Sequence, residues 1–169
     1  VTQMPEWRFI IAPHEISTDK LDKLEKMLPG SFVRFSKLTG GDNEAHNNVL
    51  IIDNIGMLSS LYQYGAIAYI GGGFGAGIHN TLEAAAFGLP VIFGPNYQKF
   101  KEASDLIALG AAWSINDFDE LKLIVDKLQD RNFSEACGKK AKDYVENNTG
   151  ATKMIIDYIL GERATLTGF

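Results

Sequence analysis

The sequence predicts an α/β fold, a Rossmann-like doubly wound parallel sheet, on three observations. Apolar strand-length runs alternate with amphipathic helical segments along the chain, the order expected of a parallel sheet covered by helices on both faces. The runs are continuous, as in Val49-Leu50-Ile51-Ile52, whereas a half-exposed strand alternates apolar with polar. A glycine-rich turn, Gly71 to Gly77, sits between a strand and a helical pattern, where such folds bring backbone close to a ligand.

Taken in order, Trp7 to Ala12 reads as a buried strand ended by Pro13. Ser17 or Thr18 caps a helix with Leu21, Leu24 and Leu28 on one face, stopped by Pro29-Gly30. Ser31 to Ser36 is a second strand, and the polar, glycine-bearing stretch Lys37 to Asn48 a loop. Val49 to Asp53 is a third strand, Leu58 to Tyr64 a short helix and Ala66 to Ile70 a fourth strand. The pattern then predicts a helix over Gly77–Phe87, ended by Gly88, and a fifth strand, Pro90 to Phe93. Lys99 to Leu109 is a helix and Ala111 to Ile115 a sixth strand. Asp117-Phe118-Asp119-Glu120 resembles a capping box and opens a helix with Leu121, Ile124, Val125 and Leu128 on one face. Ser134 to Asn147 and Ala151 to Leu160 are two further helices, and 161–169 is expected to be a loose tail.

Composition narrows the function classes. A chain of 169 residues with 46% apolar and 22% charged residues is of ordinary globular make-up for one domain. The net charge of −5 offers no basic face for nucleic acid. No apolar run approaches the roughly 20 residues needed to span a bilayer. The lone Cys137, in a segment that reads as plain helix surface, cannot form an internal bridge and points to a reduced, intracellular compartment. The chain opens at Val1 without an initiator methionine and enters a strand within a few residues, so it is expected to be a piece of a longer protein.

Strand-end loops of such a sheet face one crevice, so those after Ala12, Asp53, Ile70 and Phe93 are expected to converge. At the glycine-rich turn, the start of the following helix offers N–H groups and a positive dipole end to an anion such as phosphate. At about 100° per residue, Ile78, Leu82 and Ala85 share one face and are expected to pack on the sheet. His79, Asn80 and Glu83 lie on another, towards the crevice. A carboxylate one turn in accepts hydrogen bonds from sugar hydroxyls. Each feature also has a plainer meaning: a tight corner for the glycines, a cap for Asn80, a solvated surface for Glu83, a structural hydrogen bond for His79. Their coincidence at one mouth favours a binding site. A dinucleotide site fits poorly, because Phe93-Gly94-Pro95 stands where the next strand would end in a ribose-binding carboxylate. No Gly-Lys-Ser/Thr occurs, and His14, His46 and His79 lack zinc-ligand spacing. No metal and no cofactor are expected.

Gly71-Gly72-Gly73, followed by the run from His79 through Glu83 and Phe87-Gly88-Leu89-Pro90 to Pro95, resembles the 3-deoxy-D-manno-octulosonic acid (Kdo) transferases. Asp53-Asn54-Ile55-Gly56-Met57-Leu58 with Leu61-Tyr62 resembles that family's Asp-Thr-x-Gly-Glu-Leu segment, and Ala12-Pro13-His14 its Pro-Arg-His. Phe93-Gly94-Pro95-Asn96 with Phe100 resembles its Gly-Pro-His…Asn-Phe segment; the likeness runs from about Trp7 to Leu160. It implies the C-terminal half of a GT-B glycosyltransferase: residues 1–160 a nucleotide-sugar-binding Rossmann-like domain, with the N-terminal acceptor domain absent from this chain. The donor would be CMP-Kdo, and the whole enzyme would transfer Kdo to a lipid A precursor in lipopolysaccharide biosynthesis, at the cytoplasmic face of the bacterial inner membrane. Membrane association would come through the missing domain, this fragment being soluble. The general base would lie there too, so no catalytic residue is assigned here and the fragment alone is expected to be inactive.

Residue by residue, the resemblance places Pro13 and His14 by the cytidine monophosphate, and the backbone of Ile55, Gly56 and Met57 on the base. It places Asn80, Thr81, Leu82 and Glu83 on phosphate and ribose, with Glu83 on hydroxyls. The implied chemistry is metal-independent inverting transfer, with helix-terminal N–H groups stabilising the departing phosphate. The chain departs from the pattern in four places. His14 replaces an arginine and removes a permanent cation, Met57 replaces a glutamate, Ile78 a glycine, and Lys99 an asparagine. The glycine loop is also one residue shorter and lacks its basic residue. Two other readings stay open: a GT-B enzyme using a UDP-sugar (transferase or epimerase), and a non-catalytic Rossmann-like module. Many retaining UDP-sugar relatives carry a second glutamate where Val91 stands here, which argues against the first.

Overall fold

The computed structural model describes residues 4–39, 46–150 and 155–160. Most of the polar loop around Gly40-Gly41-Asp42-Asn43, residues 151–154 and the expected tail at 161–169 lie outside the described residues. The chain forms two compact units, Val1–Leu61 and Tyr62–Phe169.

The first unit holds β1 (Phe9–Ile11), α1 (Thr18–Met27), β2 (Phe32–Arg34), β3 (Val49–Ile51) and α2 (Leu58–Leu61). The strands form a parallel sheet in the order β1-β3-β2, with Val49 opposite Phe9 on one side and Phe32 on the other. The middle strand needs the most apolar sequence, and Val49 and Ile51 are fully buried. Leu21, Leu24 and Leu28 of the α1 face pack with them and with Phe9, Ile11 and Phe32, as the spacing predicts. Burying each large aliphatic side chain contributes about 1.5–3 kcal/mol. Arg34 on β2 reaches α1 through Glu25 at 2.5 Å and Asp22 at 2.8 Å, clamping helix to strand. The expected strand Ser31–Ser36 is shorter because Phe35–Lys37 forms a 3-10 turn. Asp53 holds that turn by accepting the Ser36 N–H at 2.9 Å and the Ser36 hydroxyl.

The second unit opens with a 3-10 turn, Tyr62–Tyr64. It continues through β4 (Ala68–Ile70), α3 (Leu82–Ala86), β5 (Val91–Phe93), α4 (Lys101–Ala108), β6 (Ala112–Ser114), α5 (Phe118–Leu128) and α6 (Arg131–Asn147). Its parallel sheet runs β4-β5-β6. The central strand explains its own composition. Val91 and Phe93 join a core cluster with residues of α3, α4 and α6, including Ala85, Leu106 and Ala141. Ile92 points the other way, to Ile115, Leu128 and the α5 face. With both faces covered there is no polar side to the strand, as in doubly wound sheets. Residues 155–160 are helical, within the helix expected at Ala151–Leu160.

Caps set two helix starts. Asp117 accepts the Glu120 N–H at 2.9 Å, the forward bond of the expected capping box, while the return bond from Glu120 goes one residue earlier, to the Asn116 N–H at 2.8 Å. The last long helix starts three residues before the expected Ser134, because Asp130 caps it by accepting the Phe133 N–H at 3.1 Å. One expectation for this helix is corrected. Cys137 does not lie on its surface but is 2% exposed, with Gly138 and Ala141 also buried. These small residues let α6 approach α3 closely: a Cβ on Gly138 would stand 2.0 Å from the Gly88 carbonyl oxygen. Burial pushes the Cys137 thiol up, the reverse of what an activated nucleophile needs.

Candidate functional site

In the second unit the loops after β4 and β5 are locked together. The glycine-rich turn closes on itself: the Gly75 N–H donates to the Gly72 carbonyl at 2.8 Å and the His79 N–H to Gly71 at 3.1 Å. Gly72 has φ +88°, and a Cβ there would lie 2.3 Å from the Gly77 oxygen, so only glycine fits. Gly73 lies against Gly94 at the end of β5, where a Cβ would meet backbone at 2.6 Å. Across the same seam the Asn96 N–H donates to Gly73 at 2.9 Å and its side-chain amide to Gly75 at 2.8 Å. The convergence of these two strand-end loops follows the sequence expectation.

The helix beyond the turn is shorter than predicted. It begins at Leu82, not Gly77. Gly77 has φ +143°, outside helical space, and the His79 N–H is spent on Gly71. Ile78 is nevertheless buried with Ala84 and Ala85 in the core, carried there by the loop rather than by a helix face. Leu82 is half-buried. His79 and Asn80 are exposed, and Asn80 bridges the helix start: its side-chain oxygen accepts the Leu82 N–H at 2.9 Å and its amide donates to Glu83 at 3.0 Å. Asn80 therefore acts as a cap and also orients the Glu83 carboxylate. The Thr81 side chain is 1% exposed, and its hydroxyl has no hydrogen-bond partner among the described residues, so Thr81 faces the interior and can offer a ligand only its backbone. Burial first, and the Glu83 carboxylate second, push the Tyr62 phenol up, which puts Tyr62 near Glu83. The Tyr62 ring also lies 6.2 Å from that of Phe87.

In the first unit, Pro13 ends β1 half-buried and His14 beyond it is exposed. Ile55 is 88% exposed, and Gly56 turns the chain with φ +91°. Met57 opens α2 by accepting the Ser60 N–H at 3.1 Å. Asp53 sits just before this turn, and the Ser36 hydroxyl holds its carboxyl below the usual carboxylate range.

A cleft of about 250 Å³ opens beside the glycine turn, lined by Gly75, Ala76, Asn96, Gln98, Lys99 and Phe100. Gln98 and the pairing of Gly75 with Asn96, 21 residues apart, had no signal in sequence spacing. Among the described residues no group of His, Cys, Asp and Glu could hold a metal, and no helix is long and apolar enough to cross a membrane.

No family model matches the chain. Curated proteins do. A 3-deoxy-D-manno-octulosonic acid transferase of Bordetella pertussis is 31% identical over 147 residues, 82% of this chain and 33% of that protein. The corresponding transferase of Chlamydia pneumoniae is 30% identical over 139 residues, 79% of this chain and 31% of that protein. This chain is a relative of the Kdo transferases. It spans about a third of the length of these Kdo transferases. Among solved structures, the C-terminal CMP-Kdo binding domain of WaaA from Acinetobacter baumannii superposes with a TM-score of 0.71 at 22% identity, covering 84% of this chain and 75% of that one. The chain thus has the α/β fold of that C-terminal domain, as the strand-helix alternation and glycine turn predict.

Proposed function

We propose that this chain is the donor-binding part of a Kdo transferase, a glycosyltransferase that takes CMP-Kdo as donor and delivers Kdo to a lipid A precursor in lipopolysaccharide biosynthesis. The observation that carries the reading is the likeness to Kdo transferases over up to 82% of the chain. It is supported by a glycine turn that leads into the exposed Asn80 and the half-buried Glu83, already oriented against each other at 3.0 Å. Pro13 and His14 lie by the cytidine monophosphate, the Ile55-Gly56-Met57 backbone contacts the base, and the segment Asn80-Thr81-Leu82-Glu83 holds phosphate and ribose. Because α3 is only five residues long, its macrodipole is small, and phosphate is held mainly by backbone N–H groups of the helix start other than that of Leu82, which Asn80 already occupies. Glu83 takes sugar hydroxyls.

Residues 1–160 act as the nucleotide-sugar-binding domain. The acceptor, the general base and attachment to the cytoplasmic face of the inner membrane belong to a domain outside this chain, which accordingly has no transferase activity alone. Titration of the purified chain with CMP, UMP and UDP, with Glu83→Ala alongside, tests this. The expected result is weak binding that prefers CMP and is lost in the variant. A preference for UDP would transfer the chain to the UDP-sugar enzymes, and absence of binding at millimolar CMP would refute an autonomous donor site.

A further inference from the structure

We infer that Ser36 and Asp53 are positioning residues for nucleotide recognition: their bond, across the carboxyl ends of β2 and β3, sets the direction in which the turn Asn54–Met57 presents its backbone to the base. This rests on the donor-binding reading, in which the backbone of Ile55, Gly56 and Met57 meets cytosine, and it identifies what holds that backbone still.

The bond takes over where the sheet ends. Arg34 of β2 stands opposite Ile51 of β3, so two residues further on, Ser36 and Asp53 would form the next pair on the same side. By then β2 has passed into the 3-10 turn Phe35–Lys37, which takes its backbone out of the ladder. The Asp53 carboxylate replaces the missing ladder bond by accepting the Ser36 N–H at 2.9 Å and the Ser36 hydroxyl. The Ser36 hydroxyl, and less strongly the Ser36 N–H and Arg34, hold that carboxyl below the usual carboxylate range, so both bonds go to an ionised acceptor, the stronger kind. On the other side of β3 the Ile52 N–H donates to the Ile11 carbonyl at 2.9 Å. The chain leaving β3 is thus tied to both neighbouring strands at successive residues, immediately before the turn begins.

The far end of the turn is pinned as well. The Met57 carbonyl accepts the Ser60 N–H at 3.1 Å, the Leu61 N–H at 3.2 Å and the Ser60 hydroxyl at 2.9 Å. The Asn54 amide donates to the Met57 sulfur across the turn. Between the two pins, Ile55 is 88% exposed and Gly56 has φ +91°. Among the described residues, the backbone N–H groups of Ile55 and Gly56 donate to no backbone carbonyl. Backbone donors and acceptors have no rotamers with which to adjust, so they meet a base edge only where the dihedrals upstream aim them. Releasing the exit of β3 therefore misdirects every backbone group of the turn together.

The test is a ¹⁵N NMR titration of the chain with CMP and, separately, with UMP, on wild type, Ser36→Ala, Asp53→Ala and Ser36→Thr. Ser36→Ala removes one of the two bonds, Asp53→Ala removes both, and Ser36→Thr keeps the hydroxyl. In the wild type CMP is expected to shift the amides of Ile55, Gly56 and Met57. Its Kd is expected to weaken roughly five-fold in Ser36→Ala, as for one hydrogen bond, and further in Asp53→Ala. UMP shares the phosphate and ribose but not the base edge, so its Kd should change less and the preference for CMP should narrow. Ser36→Thr should keep the wild-type Kd. A merely structural role would not move the ratio, because partial unfolding weakens both nucleotides by the same factor. An unchanged CMP Kd in both alanine variants, or an equal loss for CMP and UMP, would overturn the positioning role and leave donor binding standing. Absence of binding of either nucleotide to the wild type would overturn both.

Discussion

The packing of α6 behind α3 makes one substitution decisive. Gly138 sits inside α6, where alanine would ordinarily be worth about 1 kcal/mol more than glycine. Helix propensity alone therefore predicts that Gly138→Ala stabilises. The structure predicts the opposite. The new Cβ would lie 2.0 Å from the Gly88 oxygen and 3.0 Å from its carbonyl carbon, about 1 Å inside the distance at which real Cβ contacts cease. The obstacle is backbone: Gly88 ends α3 with φ +72°, its N–H bonded to Ala85 at 2.9 Å, so no flexible side chain can swing aside. Overpacking against such a neighbour costs about 3 kcal/mol, the upper part of its usual range. Less the propensity gain, the net loss is about 2 kcal/mol, or roughly 4–8 °C in Tm for a chain of this size. Chemical and thermal denaturation measure it. Because α3 carries Glu83, nucleotide affinity should fall as well. An unchanged or raised Tm for Gly138→Ala would mean that α6 does not approach the Gly88 turn as described.

Two further outcomes follow from the site. Asn80→Ala removes the acceptor of the Leu82 N–H and the donor to Glu83, and should cost about 1 kcal/mol, typical of a lost cap; faster amide exchange at Leu82, together with weaker CMP binding, is the expected signature. Ser36→Ala should let the Asp53 carboxyl rise towards its ordinary value, because the Ser36 hydroxyl is the main cause of its depression. In the wild type the stabilisation from Asp53 is present above about pH 3.9 and is lost as pH falls through the lower folded value. The variant should therefore lose less stability on acidification over that window, as followed by carboxyl NMR and denaturation at each pH.

Much of this was legible in the sequence because the signals are local. Continuous apolar runs marked the buried middle strands, Val91 to Phe93 most clearly, since a strand covered on both faces has no polar side to show. The leucine spacing of α1 and the Asp117–Glu120 cap depend on residues three or four apart, and both stand where expected. Asn80 and Glu83 were placed side by side by helical spacing, although the helix proved to hold only the second of them.

What spacing could not supply was decided by contacts between distant segments. The helix at the glycine turn begins late because Gly77 takes a non-helical φ while the loop bonds back to Gly71; the pattern of residues 77–87 is helical in either case. Cys137 reads as superficial in the sequence, but α6 meets α3 there, where the lack of a Cβ at Gly138 lets its backbone approach that of Gly88. The 250 Å³ cleft exists only because Gly73 and Gly94 touch and Asn96 spans the seam. The sequence by itself determined the class of fold and the identity of the groups at its glycine corner, since periodicity and turn chemistry act within a few residues. Tertiary structure alone decided which of those groups face a cavity and which, like Thr81, are turned into the core, because that depends on backbone surfaces brought together from far along the chain.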